Sequence, residues 1–165
     1  MSLKFTEVKD AEQIKKLSIL ADEIWHEHYT AIISNEQIDY MLDSFQSFEA
    51  IHDQLLKQGY IYYFLEIDDK EIGYIGIKHD GEKLFLSKLY ILKYYRGKGY
   101  ASQAFELLDE ICRQNHLVGI WLNVNRQNSD SIKVYEKKGF KIIKEHITDV
   151  GNGFVMDDYL MEKMI

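Results

Sequence analysis

The sequence predicts an α/β or α+β domain built on a single sheet flanked by helices. Three observations predict it. Segments of strand periodicity alternate with segments of 3.6-residue periodicity, the pattern of layered sheet-and-helix domains. The chain has 165 residues, 46% of them hydrophobic, enough for one sizeable core and little more. It lacks proline, long Gly/Ser runs and internal repeats, so nothing marks a linker and residues 1–165 are read as one domain.

Taken in order, Leu3 to Val8 reads as a short first strand. Ile14, Leu17, Ile19, Leu20 and Ile24 then recur at helical spacing, and further helices are expected over Asn35 to Leu42 and Phe48 to Leu56. Tyr60 to Ile67 and Glu71 to Lys78 are β-rich on either side of Asp68-Asp69-Lys70, which predicts a hairpin. After the turn at Asp80-Gly81, Leu84 to Leu92 is the next strand. Tyr100, Ala104, Phe105, Leu108, Ile111 and Cys112 form the apolar stripe of an amphipathic helix. Val118 to Val124 (strand), Asn128 to Lys138 (helix), Phe140 to His146 (strand) and Phe154 to Glu162 (strand) complete the order.

Composition excludes several functions. A net charge of −7 argues against a nucleic-acid binder, which concentrates Lys and Arg on phosphates. No apolar run approaches the roughly 20 residues of a membrane-spanning helix. Met1-Ser2-Leu3-Lys4 also lacks the layout of a secretory signal, so a soluble, cytoplasmic protein is expected. The lone Cys112 rules out an intrachain disulfide and a Cys-based zinc site, and its place on the stripe makes it a small core residue; no metal is expected. Acid is concentrated early. Met1 to Gln58 holds 11 Asp+Glu against 5 Lys+Arg, and the remaining residues hold 16 against 15. Two readings stand: a site that attracts cations, or solvated faces of ordinary helices.

The segment richest in chemistry runs from Leu89 through Arg96-Gly97-Lys98-Gly99-Tyr100-Ala101, a strand entering a Gly-bearing turn and then a helix. Glycines let consecutive N–H groups converge, and the helix adds its positive end, so the turn suits a pyrophosphate. Arg96 and Lys98 add charge. No Gly-Lys-Ser/Thr closes it as a P-loop, and the three-glycine dinucleotide pattern is absent.

Here the chain resembles the GNAT (Gcn5-related) N-acetyltransferase superfamily. Arg96, Gly99 and Ala101 match its Gln/Arg-x-x-Gly-x-Gly/Ala signature, and Asn128, Ser131 and Tyr135-Glu136-Lys137-Lys138-Gly139-Phe140 match a second signature in the expected order. From Trp121 onward the layout is most similar to bacterial polyamine (spermidine/spermine) acetyltransferases. The resemblance implies a mixed, largely antiparallel sheet with a splayed parallel strand pair at the cofactor site. It implies acetyl-CoA as co-substrate. The backbone of Leu89, Tyr90 and Ile91 would pair with the pantetheine arm, and the amides from Gly97 to Ser102 (Gly97, Lys98, Gly99, Tyr100, Ala101, Ser102) would hold the pyrophosphate. Asn128 would bond the cofactor arm or cap its helix, both roles suiting its type and position. Ser131 would supply close packing.

The implied reaction is direct attack of a primary amine on the thioester. Tyr135 is the expected general acid, since a phenol near 10 stays protonated at neutral pH and can donate to the departing thiolate. Where many relatives carry a strand glutamate as base, this chain has Ser87, which cannot act as one alone. Glu27 and His28 on the first helix are the nearest substitutes in role, reaching the amine through water. His26 and His28 point to different sides of a helix and make a poor metal pair. The acceptor expected is a small cationic amine, a polyamine foremost, with Glu23, Glu27, Asp157 and Asp158 as candidate anchors. No nucleic-acid or membrane partner is expected, and a homodimer is left open. The competing readings are a non-catalytic GNAT-like module that binds coenzyme A or an effector, a nucleotide-binding regulator, and acetylation of protein N-termini, amino acids or antibiotic amines.

Overall fold

The computed structural model describes residues 2–165 and has the element order β1 (Lys4–Glu7), α1 (Ala11–Tyr29), α2 (Asn35–Phe45), α3 (Phe48–Lys57), β2 (Tyr60–Ile67), β3 (Lys70–Asp80), β4 (Lys83–Ile91), α4 (Tyr100–Gln114), β5 (Gly119–Asn125), α5 (Ser129–Lys137), β6 (Lys141–Gly151) and β7 (Phe154–Met164). The strands form a mixed sheet in the order β1-β2-β3-β4-β5-β7-β6, which leaves β6 at an edge. The pair β4–β5 is parallel. The pairs β1–β2, β2–β3, β5–β7 and β6–β7 are antiparallel. The parallel register matches Lys83, Leu84 and Phe85 with Gly119, Ile120 and Trp121, the first third of β4. The chain divides into two compact units, residues 1–78 with 88–104 and residues 79–87 with 105–165.

In the first unit, α1 starts at a capping box. The Asp10 carboxylate accepts from the Gln13 amide at 2.8 Å, and the Gln13 side chain accepts from the Asp10 amide at 3.0 Å. Ile14, Leu17, Leu20, Ala21, Ile24 and Trp25 form its buried stripe, whereas Ile19 falls off that stripe and is exposed. Ser34 and Ser47 cap α2 and α3. The β2–β3 hairpin turns through Asp68 and Asp69, both left-handed at φ 50° and 63°, as the two-residue turn that matches strand twist requires. The core of this unit contains a polar chain that the sequence did not suggest. Trp25 Nε1 donates to Tyr74 Oη (2.9 Å), Tyr74 Oη to Gln46 Oε1 (2.7 Å), Gln46 Nε2 to Tyr62 Oη (3.1 Å) and Tyr62 Oη to Gln54 Oε1 (2.6 Å).

In the second unit, Leu84 and Leu86 of β4, Phe105, Leu108 and Cys112 of α4, and Ile120, Leu122 and Val124 of β5 are buried. Burial pushes the Cys112 thiol up to about 11, as suits a packed, inert side chain. The β6–β7 hairpin is longer than expected. β6 continues past His146 because Ile147, Thr148 and Asp149 pair with Asp157, Met156 and Val155, a register that needs no apolar alternation to form. Phe140, expected as the first residue of β6, instead lies buried ahead of it. Ile142, Ile143 and Ile147 of β6 are exposed.

Candidate active site

Between β4 and α4 the chain makes a short 3-10 turn, Lys93–Tyr95, and then the glycine turn. Gly97 and Gly99 lie at φ 75° and 84°, while Lys98 between them does not have positive φ. Alternation of this kind turns successive N–H groups toward one side, the geometry of an anion nest. A Cβ built on either glycine meets nothing within 4 Å, so the requirement for glycine is conformational and the approach to the turn is open. Helix α4 follows at once, with Gln103 N donating to Gly99 O, and the first amides of a helix have no carbonyl one turn earlier to bond.

Arg96, at the start of the glycine turn, also reaches back toward β4 and α1. Its Nε donates to Ile91 O at 2.9 Å and its guanidinium lies 3.7 Å from Glu27 Oε1, which also accepts from the Lys93 amide. Arg96 and Glu27 thus clasp α1 to the end of β4 and the start of the turn. Glu27 Oε1 is correspondingly engaged within the protein. Lys98 sits over the rings of Tyr94 and Tyr95, at 4.8 and 5.7 Å.

His28 packs against Tyr29 and Tyr90 at 4.7 and 5.7 Å between ring centroids, and Tyr29 and Tyr90 share a hydrogen bond of 2.8 Å between their hydroxyls. Burial, and next the Arg96 charge, lower its imidazole to about 4. His28 is therefore neutral at pH 7 and a weak proton acceptor. His26, whose pKa is raised mainly by its hydrogen bond to the Asp22 carbonyl and then by Asp39, turns to a different side of α1. Lys88, next to Ser87, is a titratable group sequence reasoning passed over; burial lowers its ammonium to about 8. The early acid does not gather at Glu23 and Glu27. Asp22, Asp39 and Asp43 instead line a groove of about 370 Å³ with Ser18, Gln46 and Phe48.

The second unit holds Asn128, Ser131 and Tyr135. Asn128 is the N-cap of α5, its Oδ1 accepting from Ser131 N at 3.4 Å. The far end of α5 is a Schellman motif. Phe140 N donates to Tyr135 O (3.0 Å) and Gly139 N to Glu136 O (3.1 Å), with Gly139 left-handed at φ 97°. The hydrophobic contact that accompanies such a cap is Phe140 against Tyr135, 5.8 Å between ring centroids, and Phe105 meets Tyr135 edge-on at 5.9 Å. The motif from Tyr135 to Phe140 therefore fixes the tyrosine ring as well as ending the helix. Of the candidate anchors near the C-terminus, Asp157 pairs with Arg126 at 2.9 Å and Asp158 is buried.

The sequence profile of the Acetyltransferase (GNAT) family matches residues 20–140, most of the chain. The chain belongs to the GNAT acetyltransferase family. It is an acetyl-CoA-dependent N-acetyltransferase, and the mixed sheet with its parallel pair is the GNAT fold. A GNAT relative, the spermidine N(1)-acetyltransferase of Thermoplasma acidophilum, is 27% identical over 157 residues, covering 88% of this chain and 95% of the relative. An uncharacterized N-acetyltransferase of Lactobacillus delbrueckii subsp. lactis is 23% identical over 71% of this chain and 72% of its own. Among solved structures, the PaiA N-acetyltransferase of Thermoplasma acidophilum in complex with coenzyme A superposes with a TM-score of 0.82 at 25% identity, covering 100% of both chains. A GCN5-related N-acetyltransferase of Rhodopseudomonas palustris reaches 0.80 at 12% identity over 99% of this chain and 95% of that one, a likeness of fold alone. No helix among the described residues is long and apolar enough to cross a membrane.

Proposed function

We propose that this GNAT protein transfers acetyl from acetyl-CoA to a small cationic amine, with a polyamine as the leading acceptor. The observation that carries the cofactor half is the alternating backbone of Gly97-Lys98-Gly99 opening directly into α4. The amides of Gly97 to Ala101 and that of Ser102 hold the pyrophosphate, and the backbone of Leu89, Tyr90 and Ile91 pairs with the pantetheine arm. Asn128, besides capping α5, bonds the same arm, with Ser131 packed against it. Arg96 and Glu27 act by holding the turn in shape. Tyr135 protonates the departing thiolate, its ring held by Phe105 and Phe140. A backbone N–H of Leu89 or Tyr90 stabilises the oxyanion that forms on attack.

The acceptor half is supported by the likeness to a spermidine N(1)-acetyltransferase over nearly its whole length and by the acid excess of the early chain, which favours cations. The test is thiol release from acetyl-CoA with a panel of polyamines, aminoglycosides, amino acids and peptides. Efficient turnover of polyamines is expected. Turnover of anionic amino acids or peptide N-termini with none of polyamines would overturn the acceptor class and leave the acetyltransferase standing.

A further inference from the structure

Asp158 is 7% exposed, and no donor of the described residues reaches its buried Oδ1. Buried carboxylates are ordinarily paired or fully hydrogen-bonded, because a carboxylate oxygen left without a donor has lost its hydration with nothing in exchange. The buried carboxylate with an unpartnered oxygen therefore calls for an explanation outside folding.

Its surroundings supply one. Residues opposite one another on neighbouring strands share a face. Asp158 faces Asn125 of β5 on one side and His146 of β6 on the other. Asn123 lies two residues back on the same face and is joined to His146 by a 2.8 Å hydrogen bond. Trp121 and, through its 4.1 Å stack, Phe85 continue that face onto β4, where Ser87 follows at the next position. The opposite face is marked by Lys163 against Asp109 of α4, and α4 carries the Phe105 that contacts Tyr135. Asp158 thus lies at the carboxyl end of β5, where open α/β sheets receive their ligands, on the face away from Tyr135's helix. Asn128, the cap of α5, follows Asn125 by three residues.

We infer that Asp158 is the general base of the reaction, receiving the acceptor's ammonium and taking its proton, on the face that carries Ser87, Asn123, Asn125 and His146. The inference rests on the proposed amine acetylation. Ionised Asp158 accepts one proton from the ammonium. The freed amine forms the C–N bond to the thioester carbonyl carbon and the C–S bond breaks, the thiolate leaving with the Tyr135 proton. The amide nitrogen sheds its surplus proton through water, which restores Tyr135, and Asp158 gives its own to solvent. The burial that raises an acid also weakens an ammonium brought beside it, so both shifts move the proton toward the carboxylate. Burial raises the Asp158 carboxyl to about 6, opposed by His146 and assisted by Asp157, within reach of neutral pH. Other charged groups on this face are Lys144, the Lys83–Glu162 pair, which satisfy each other at 2.6 Å, Lys141 opposite Glu162, and Asp80, which accepts from Trp121 Nε1 at 3.0 Å.

The experiment compares wild type, Asp158→Asn, Asp158→Glu and His146→Asn with acetyl-CoA and the best acceptor of the panel, reading kcat/KM against pH and the acetyl-CoA Kd. Asp158→Asn should lower kcat by about 10² to 10⁴ with Kd unchanged. Wild-type kcat/KM should fall below about pH 6, the limb being lost in Asp158→Asn, kept in His146→Asn and partly rescued in rate by Asp158→Glu. A wild-type profile without an acid limb overturns the assignment whether or not any variant folds. So does an Asp158→Asn enzyme with wild-type kcat, or one that is slow but keeps the same limb. A wild type that acetylates no amine of the panel fails earlier, and takes the acceptor reading down together with this one.

Discussion

Tyr135 serves two ends that substitution can separate. Its backbone carbonyl belongs to the Schellman cap and its ring to the contacts with Phe105 and Phe140, all of which Tyr135→Phe preserves. Only the hydroxyl is removed. The expected outcome is a kcat lower by about 10² to 10⁴ with an unchanged acetyl-CoA Kd, measured where chemistry limits turnover. An unchanged kcat there would reduce Tyr135 to packing. Asp158 also makes a statement about stability. Its folded carboxyl near 6 lies above the ordinary value of 3.8, so between those values the folded chain keeps a proton that the unfolded chain has lost. Stability should therefore fall as pH rises from about 4 to about 6 and level off above. Asp158→Asn should lose that slope in denaturant titrations and be no less stable at pH 7.

At the scale of elements, the glycine turn and the end of α5 are the most sharply constrained. Gly99→Glu places a charged side chain on a left-handed residue at the mouth of the nest. It should abolish acetyl-CoA binding in calorimetry while circular dichroism stays native. Gly139→Ala forces Cβ into the left-handed cap and should cost about 1–2 kcal/mol in chemical unfolding. These two turns were legible in the sequence because glycine spacing and a following apolar period announce them. The hairpin at Asp68-Asp69 was legible for the same reason, since turn residues there interrupt two β-rich runs. The far half of β6 was not, because Thr148, Asp149 and their neighbours owe their strand state to pairing with β7. Nor was the chain from Trp25 to Gln54, whose members lie far apart in sequence and meet only through tertiary packing. The clasp between Arg96 and Glu27 was not legible, for a related reason. A sequence shows charge near a turn without showing that another helix has already claimed it.

At the scale of the whole molecule, charge and connectivity make separate predictions. If the early acid excess draws a cationic acceptor, KM for a polyamine should rise with salt at steady kcat, because attraction is screened over about 8 Å at physiological ionic strength. A neutral amine should be insensitive. The boundary between the two compact units falls inside β3, inside β4 and inside α4. Separating them would break two strands and a helix, so calorimetry should show one unfolding transition, and two resolved transitions would argue for two domains.

The position of β6 at the margin of the sheet has a bearing on how the protein behaves when concentrated. An eleven-residue edge with Ile142, Ile143 and Ile147 exposed is a template on which a second chain can add a strand. Lys141, Lys144 and Glu145 interrupt it, the charges by which edges are kept from stacking into fibrils. Colloidal stability should thus hinge on a few charged side chains of this edge. Replacing Lys141 and Lys144 with Val should promote thioflavin-positive aggregation on storage, read against wild type at the same concentration.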